Sequence, residues 1–260
     1  MSSDTGEVSL VIEADVASVT FNRPQARNAM TWPMYEQLVA IARQLTSDRD
    51  VKAVVFRGEG GQAFVAGTDI EQFTQFQSAD DGVAYERQIE ACIELLGELP
   101  QPTVAVIEGW AVGGGLAIAT ACDFRLATPG TRLGVPIAKT LGNCLSLANV
   151  ARLRAAFGHQ RVKRMLMLAE FIQAEEALAC GYLHQVVAAD HIAAATAELV
   201  QQLGALAPIT QRVSKVALAR LITQDLPVAD DLIRAAYGSQ DFHEGVQAFV
   251  ARRPPVWSGQ

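Results

Sequence analysis

One stretch constrains this chain more than any other. Thr103-Val104-Ala105-Val106-Ile107 suits a buried strand, and three consecutive glycines, Gly113-Gly114-Gly115, then open a segment of small residues running to Asp123. Without Cβ atoms, such a turn lets another backbone or a ligand come close. It also leaves N–H groups free at the positive end of the following helix. The pattern matches neither G-x-G-x-x-G nor a P-loop ending in Gly-Lys-Ser/Thr. Two readings stay open, an anion or oxyanion site at a helix N-terminus and a tight structural turn. About twenty residues here are nearly free of charge, long enough to cross a membrane, but Glu108 and the glycines interrupt them, so no membrane span is expected.

Around this stretch the pattern alternates strand and helix. Residues 8–12 and 16–21 form a hairpin, and a polar loop follows from Asn22 to Met30. A helix capped near Thr31 runs to about Leu45. Residues 51–56 are a Val-rich buried strand leading into Gly58-Glu59-Gly60-Gly61 and then Ala66-Gly67-Thr68-Asp69. This second glycine-marked turn also follows a strand, where open α/β sheets place ligands. Residues 80–99 read as a helix whose Tyr85, Ile89, Cys92, Ile93 and Leu96 share one face. Glu86 lies near the edge of that face and Glu90 further round, and the pattern favours solvated glutamates at both.

Further strands are expected at 123–127, 132–136 and 183–187. Helices are expected at 145–157, 161–169 and 174–180, with Gly181 as a stop. From Ala189 to Ala251 the pattern is helical, broken near Pro208 and Pro227. Arg23 and Arg27 beside a strand end suit either a phosphate contact or ordinary solvated arginines.

A half-apolar chain of 260 residues can bury one sizeable core. Its net charge of −7, without a basic stripe, argues against nucleic acid as a partner. Cys92, Cys122, Cys144 and Cys180 contain no C-x-x-C pair, so neither zinc nor a disulfide framework is implied, and reduced thiols fit a cytoplasmic protein. The polar, acidic segment 1–7 does not resemble a signal peptide. His159, His184, His191 and His243 form no spaced pair for a metal.

Five stretches in order carry a family resemblance. They are Phe21-Asn22-Arg23-Pro24 with Ala26-Arg27-Asn28-Ala29; Ala63 through Ile70; Pro102 through Asp123; Ala174-Glu175-Glu176-Ala177 with Gly181; and Asp241 through Phe249. Over nearly its whole length the chain resembles the crotonase superfamily, the enoyl-CoA hydratase/isomerase family. The resemblance implies an α/β fold, a crotonase (ClpP-like) spiral of ββα units, with residues 1–195 as the acyl-CoA-binding core. Residues 196–260 would be a helical region through which homotrimers form and pair into hexamers. It implies an acyl-CoA thioester as substrate, with no further cofactor and no metal, and an enolate-like oxyanion held by two backbone N–H groups. By motif position these belong to Thr68 and Gly114. Such donors are worth roughly 3 kcal/mol each in comparable acyl-transfer sites. Arg23, Arg27, Ala29, Ala66, Asp69 and Ile70 would border the coenzyme A.

One departure matters for the chemistry. Hydratases of this family carry a glutamate two residues beyond the triple glycine and another twenty residues later, where this chain has Ala117 and Ile137. Neither side chain can transfer a proton, and acid and base groups each supply roughly 10²–10⁴-fold in rate. Syn-hydration by the known route is therefore not expected, and isomerisation, decarboxylation, or thioester or C–C cleavage would need fewer such groups. Other members place a catalytic aspartate near Asn143 and Cys144. Cys144 at a helix start could have a lowered thiol pKa or be a buried small hydrophobe, and Asn143 could cap that helix. Glu90 stands where a dehalogenase branch has its histidine base, and Glu86, one turn earlier, is the better placed carboxylate. A catalytically degenerate acyl-CoA-binding or scaffold protein is the alternative.

Overall fold

The computed structural model describes residues 5–260; the first four residues of the acidic N-terminal segment lie outside the described residues. In chain order the elements are β1 (Glu7–Glu13), β2 (Val16–Asn22), α1 (Trp32–Ser47), β3 (Ala53–Gly58), β4 (Ala63–Val65), α2 (Ala79–Gly97), β5 (Thr103–Ile107), β6 (Trp110–Val112), α3 (Gly114–Ala121), β7 (Phe124–Ala127) and β8 (Arg132–Gly134). Then come α4 (Ile137–Thr140), α5 (Leu147–Phe157), α6 (His159–Met167), β9 (Ile172–Gln173), α7 (Ala174–Ala179), β10 (Gln185–Val186), α8 (Ile192–Gly204), α9 (Pro208–Thr223), α10 (Asp230–Tyr237) and α11 (Gln240–Val250). The α/β spiral of ββα units with a helical C-terminal region is the observed architecture. The expected hairpin is β1 and β2, antiparallel with Val8 opposite Phe21.

The two short strands of each unit go to different sheets. β3, β5 and β7 join a six-stranded sheet of order β1-β2-β3-β5-β7-β10, parallel from β2 onward. Their followers β4, β6 and β8 build a four-stranded sheet, order β4-β6-β8-β9. Those followers are only three residues long, and β4, β6 and β9 were not marked as strands by their sequence pattern.

The central strand β5 is buried on both faces, and β3 is so apart from Arg57, which explains why they read as apolar runs without alternation. In β5, Ala105 and Ile107 enter the main core while Val104 and Val106 pack against Ile192, Leu199, Val200 and Leu203 of α8. The 195/196 boundary falls inside α8, and Ile233, Tyr237, Phe242 and Val246 of α10 and α11 belong to the main core. α9 contributes no buried residue. Among the described residues no single helix is long and apolar enough to cross a membrane; α8 and α9 satisfy length and composition only as a pair bent by 103°.

Helix ends follow local chemistry. Thr31 caps α1, its Oγ1 accepting from the Met34 N–H at 3.4 Å. α3 starts from Gly113, whose φ of 53° and ψ of −119° suit glycine and few other residues. The next contact is tighter. Gly115 lies against the Val65 carbonyl and side chain, so that a Cβ there would overlap them. Substituting Gly115→Ala is expected to destabilise the fold by about 2 kcal/mol or more, lowering the thermal midpoint by at least about 4 °C. Gly97→Ala, which meets nothing within 4 Å, should leave the midpoint unchanged or slightly higher; equal midpoints for the two variants would refute the packing argument.

Candidate active site

The two glycine-marked turns meet. A Cβ on Gly67 would lie 3.5 Å from the Val112 carbonyl, and one on Gly113 would lie 3.9 Å from the Gly67 Cα. Thr68 forms an isolated parallel bridge with Met30, in which the Met30 N–H donates to Gly67 O at 2.8 Å and the Asp69 N–H donates to Met30 O at 2.8 Å. Because successive amides of an extended chain face opposite ways, the Thr68 N–H is directed away from that bridge. Gly114 is the first residue of α3, and the N–H of such a position has no intrahelical acceptor. Its neighbour Gly113 donates to Gly134 O at 3.0 Å. Thr68 and Gly114 are both half-buried, as a site open to a ligand requires.

Three hydroxyls line this junction. Thr68 Oγ1 lies 2.8 Å from Tyr35 Oη and 2.9 Å from Tyr85 Oη. A Cβ at Gly114 would stand 2.7 Å from Tyr35 Oη and 3.4 Å from Thr68 Oγ1. Burial pushes both phenols above their ordinary range, so they stay protonated around neutrality.

The loops thought to border a coenzyme form one patch. Arg23 Nη1 contacts Asp69 Oδ2 at 2.7 Å and donates to the Ala29 carbonyl at 3.3 Å. The Ala66 N–H donates to Arg27 O at 3.1 Å, and Ile70 opens a 3-10 turn capped by Asp69. Arg27 is exposed, with a φ of 51°. The fully buried Asn28 ties this loop together, donating to Ala63 O at 2.8 Å and to Glu59 O at 3.0 Å while accepting from the Arg23 N–H at 2.9 Å.

Of the two candidate glutamates on α2, Glu86 is buried and Glu90 half-buried and paired, contrary to the expectation of solvated side chains. Glu86 is 2 % exposed. Its Oε2 accepts the Ser146 N–H at 2.7 Å and its Oε1 accepts the Tyr237 hydroxyl at 2.7 Å. Burial raises its pKa to about 7; the two donors oppose the shift and nearby Glu90 adds to it. Glu90 is paired with Arg152 at 2.6 Å and accepts from Ser146 Oγ at 2.7 Å. The reason is tertiary. α10 packs along α2, bringing Tyr237 over Glu86, while the start of α5 supplies Ser146.

Cys144 and Asn143 also differ from expectation. α5 begins at Leu147 with Ser146 as its cap, its Oγ accepting from Asn149 N–H at 3.2 Å. Asn143 instead donates to Tyr237 Oη at 3.1 Å. Cys144 therefore gains no helix-terminal stabilisation of a thiolate. Burial, with the Glu86 charge adding to it, pushes its thiol up to about 12, which goes against a lowered pKa and with the reading of Cys144 as a small buried hydrophobe. Ala117 lies buried in α3 and Ile137 is the first residue of α4.

Sequence reasoning missed Tyr35, Tyr85, Tyr237, Ser146 and Arg152. Each sits on a helix or cap where the local pattern calls for core or surface, and only the tertiary packing unites them. Among the described residues no cluster of three or more His, Cys, Asp or Glu could hold a metal. A groove of about 650 Å³ lies on the other face of the larger sheet, between Val16, Ala53, Val55, Val106 and α8, and holds none of these candidates.

Comparison with known proteins fits this layout. A family model described as enoyl-CoA hydratase/isomerase matches residues 11–260. YngF of Bacillus subtilis, which carries that family name, is 32% identical over 248 residues, spanning 94% of this chain and 95% of its own. The crystal structure of an enoyl-CoA hydratase/carnithine racemase from Magnetospirillum magneticum superposes with a TM-score of 0.79 at 33% identity, covering 97% of this chain and 96% of that one. A methylmalonyl-CoA decarboxylase bound to 2-nitronate-propionyl-CoA superposes with a TM-score of 0.88 at 25% identity, covering 97% and 98%. This chain belongs to the enoyl-CoA hydratase/isomerase family.

Proposed function

We propose that this protein processes an acyl-CoA thioester through an enolate-like oxyanion held by the N–H groups of Thr68 and Gly114, with Glu86 as the group that moves the proton. The observation that carries this reading is Glu86: a buried carboxyl with a pKa of about 7, in a chain that has Ala117 and Ile137 where hydratases of the family have their glutamates. A base poised near neutrality has the best compromise between being ionised and being basic. Deprotonation would send a C–H bonding pair into a new C=C bond and the carbonyl π pair onto oxygen, where the two amides stabilise it. A single carboxyl suits reactions that shuttle one proton. Isomerisation of an enoyl-CoA is the simplest, since the same group can remove and return the proton. In decarboxylation, C–C cleavage supplies the electron pair and a proton need only be delivered. The likeness to a methylmalonyl-CoA decarboxylase supports keeping that second reaction in view. Arg23, Arg27, Ala29, Ala66, Asp69 and Ile70 would border the coenzyme, and the exposed Ile209, Val213, Leu218 and Leu221 of α9 support a homotrimer or hexamer.

The two bonds already made by the Glu86 carboxylate favour a second reading, in which that group is structural and the protein binds acyl-CoA without turning it over. Exchange in D₂O separates the two. Under the catalytic reading, enoyl- and 3-enoyl-CoA esters acquire deuterium α or γ to the thioester, crotonyl-CoA hydration is slow, and Glu86→Gln lowers exchange by about 10²–10⁴-fold with little change in ester affinity. Binding without exchange by the native protein would establish the second reading, and rapid crotonyl-CoA hydration would refute the first.

The pH dependence has two opposite signs. Exchange by the native protein should rise with pH through about 7 as Glu86 ionises, and the variant should lack that step. Stability runs the other way, because the folded state holds this proton more tightly than the unfolded chain. Its contribution is complete below the unfolded value near 4.5 and is lost as pH rises through about 7. Denaturant titrations at pH 4 and pH 8 should therefore shift in favour of Glu86→Gln by about 3 kcal/mol. For the oligomer, light scattering should give three or six chains; a monomer would sink that part of the reading.

A further inference from the structure

We propose that Tyr35 supplies a third hydrogen bond to the acyl oxygen, its hydroxyl aimed by Thr68 and Tyr85 into the space between the Thr68 and Gly114 amides. This rests on the oxyanion reading above and adds a side-chain donor to its two backbone ones.

The inference comes from counting protons. Tyr35 Oη, Thr68 Oγ1 and Tyr85 Oη form a chain with two links, of 2.8 and 2.9 Å. Each hydroxyl has one proton to donate, so three donors serve two links. Whichever way the bonds run, one O–H remains unspent. Tyr35 is 2 % and Tyr85 8 % exposed, and no other hydrogen-bond partner reaches either hydroxyl among the described residues. A buried hydroxyl proton without an acceptor is costly, and an incoming oxyanion would remove that cost.

Geometry selects the end of the chain. The direction Tyr85→Thr68→Tyr35 leaves the Tyr35 proton free, and Tyr35 Oη is the hydroxyl nearest Gly114, at 2.7 Å from where its Cβ would stand. Only glycine admits that oxygen so close to the start of α3. The Tyr35 ring is fixed in the core on the inner face of α1, beside Met34 and Leu38. Its reach is therefore set by the scaffold, and little motion is needed when charge develops on the acyl oxygen. The hydroxyl of Thr68 makes this arrangement, while its amide faces the same space; valine at this position would keep the amide and break the chain.

The test is infrared difference spectroscopy with butyryl-CoA labelled with ¹³C at the carbonyl, bound to the native protein and to variants. In the native protein the carbonyl stretch should lie below its solution value. Tyr35→Phe should recover part of that downshift and reduce turnover of a reactive ester at least tenfold, with a smaller change in KM. Incorporating 2,3-difluorotyrosine at position 35 keeps the ring in place but makes the phenol a stronger donor, so it should deepen the downshift. Thr68→Val, with its amide retained, should give a smaller recovery than Tyr35→Phe. A native downshift that neither Tyr35 replacement alters would overturn this inference and leave the two-amide reading standing. A bound carbonyl at its solution frequency in the native protein would overturn both.

Discussion

The contact between two glycine-marked turns governs the rest of this molecule. The chain crosses from the larger sheet to the smaller one after each of β3 and β5, and each crossing brings a short strand and a turn to the same edge. Gly115 against the Val65 carbonyl sets how close those turns come. Any side chain there would separate them and the amides they carry. The position of Thr68 is fixed again by its bridge to Met30, so that the loop before α1 also registers on this junction. Backbone packing, with few side-chain contributions, thus places the half-buried Thr68 and Gly114 on neighbouring turns.

Around that junction the helices create an environment of a different kind. Phe73, Phe76, Tyr85, Tyr237 and Phe242 pack edge-on or tilted at ring separations of 4.8 to 6.1 Å. This aromatic cluster removes water from beside Glu86, which is why burial leads the causes of its raised pKa. Ser146 and Tyr237 limit the shift by donating to the carboxylate. The balance leaves the group between a free carboxylate, too weak a base, and a fully desolvated acid that would never ionise near neutrality.

Much of the fold was legible because it rests on local rules. β5 was read to its exact ends, the Thr31 cap was found from hydroxyl and proline chemistry, and the glycine runs marked both turns that meet. The strands β4, β6 and β9, two or three residues long, were less legible, since period-2 alternation needs more length to show. Among the candidate residues, the split is instructive. The two turns that carry Thr68 and Gly114 were visible as glycine runs, because close backbone approach leaves that signature. Glu86 was misjudged as solvated, and the pairing of Glu90 was missed, because helical periodicity reports only one helix's own face, whereas α10 covers Glu86 and Ser146 and Arg152 of the α5 region reach Glu90. Tyr237 lies far from Glu86 in sequence, and no window on the chain contains both. Of the two readings of Cys144, the reactive thiol lost for a smaller reason. The helix begins two residues later than the residue pattern suggested, so the thiol meets the backbone of Leu232 at 3.9 Å instead of a helix terminus.

The order of the larger sheet carries a kinetic consequence. Val16 of β2 pairs with Ala53, and Val54 of β3 pairs with Thr103, so each parallel neighbour arrives only after a complete intervening unit. While the chain emerges during synthesis, β3 can pair with β2 on one side, but its other, largely apolar edge stays open until α2 and β5 have followed it. Such an edge is where wrong pairing between chains begins. The same alternation that brings two glycine turns together at the end therefore makes the nascent chain vulnerable in the middle.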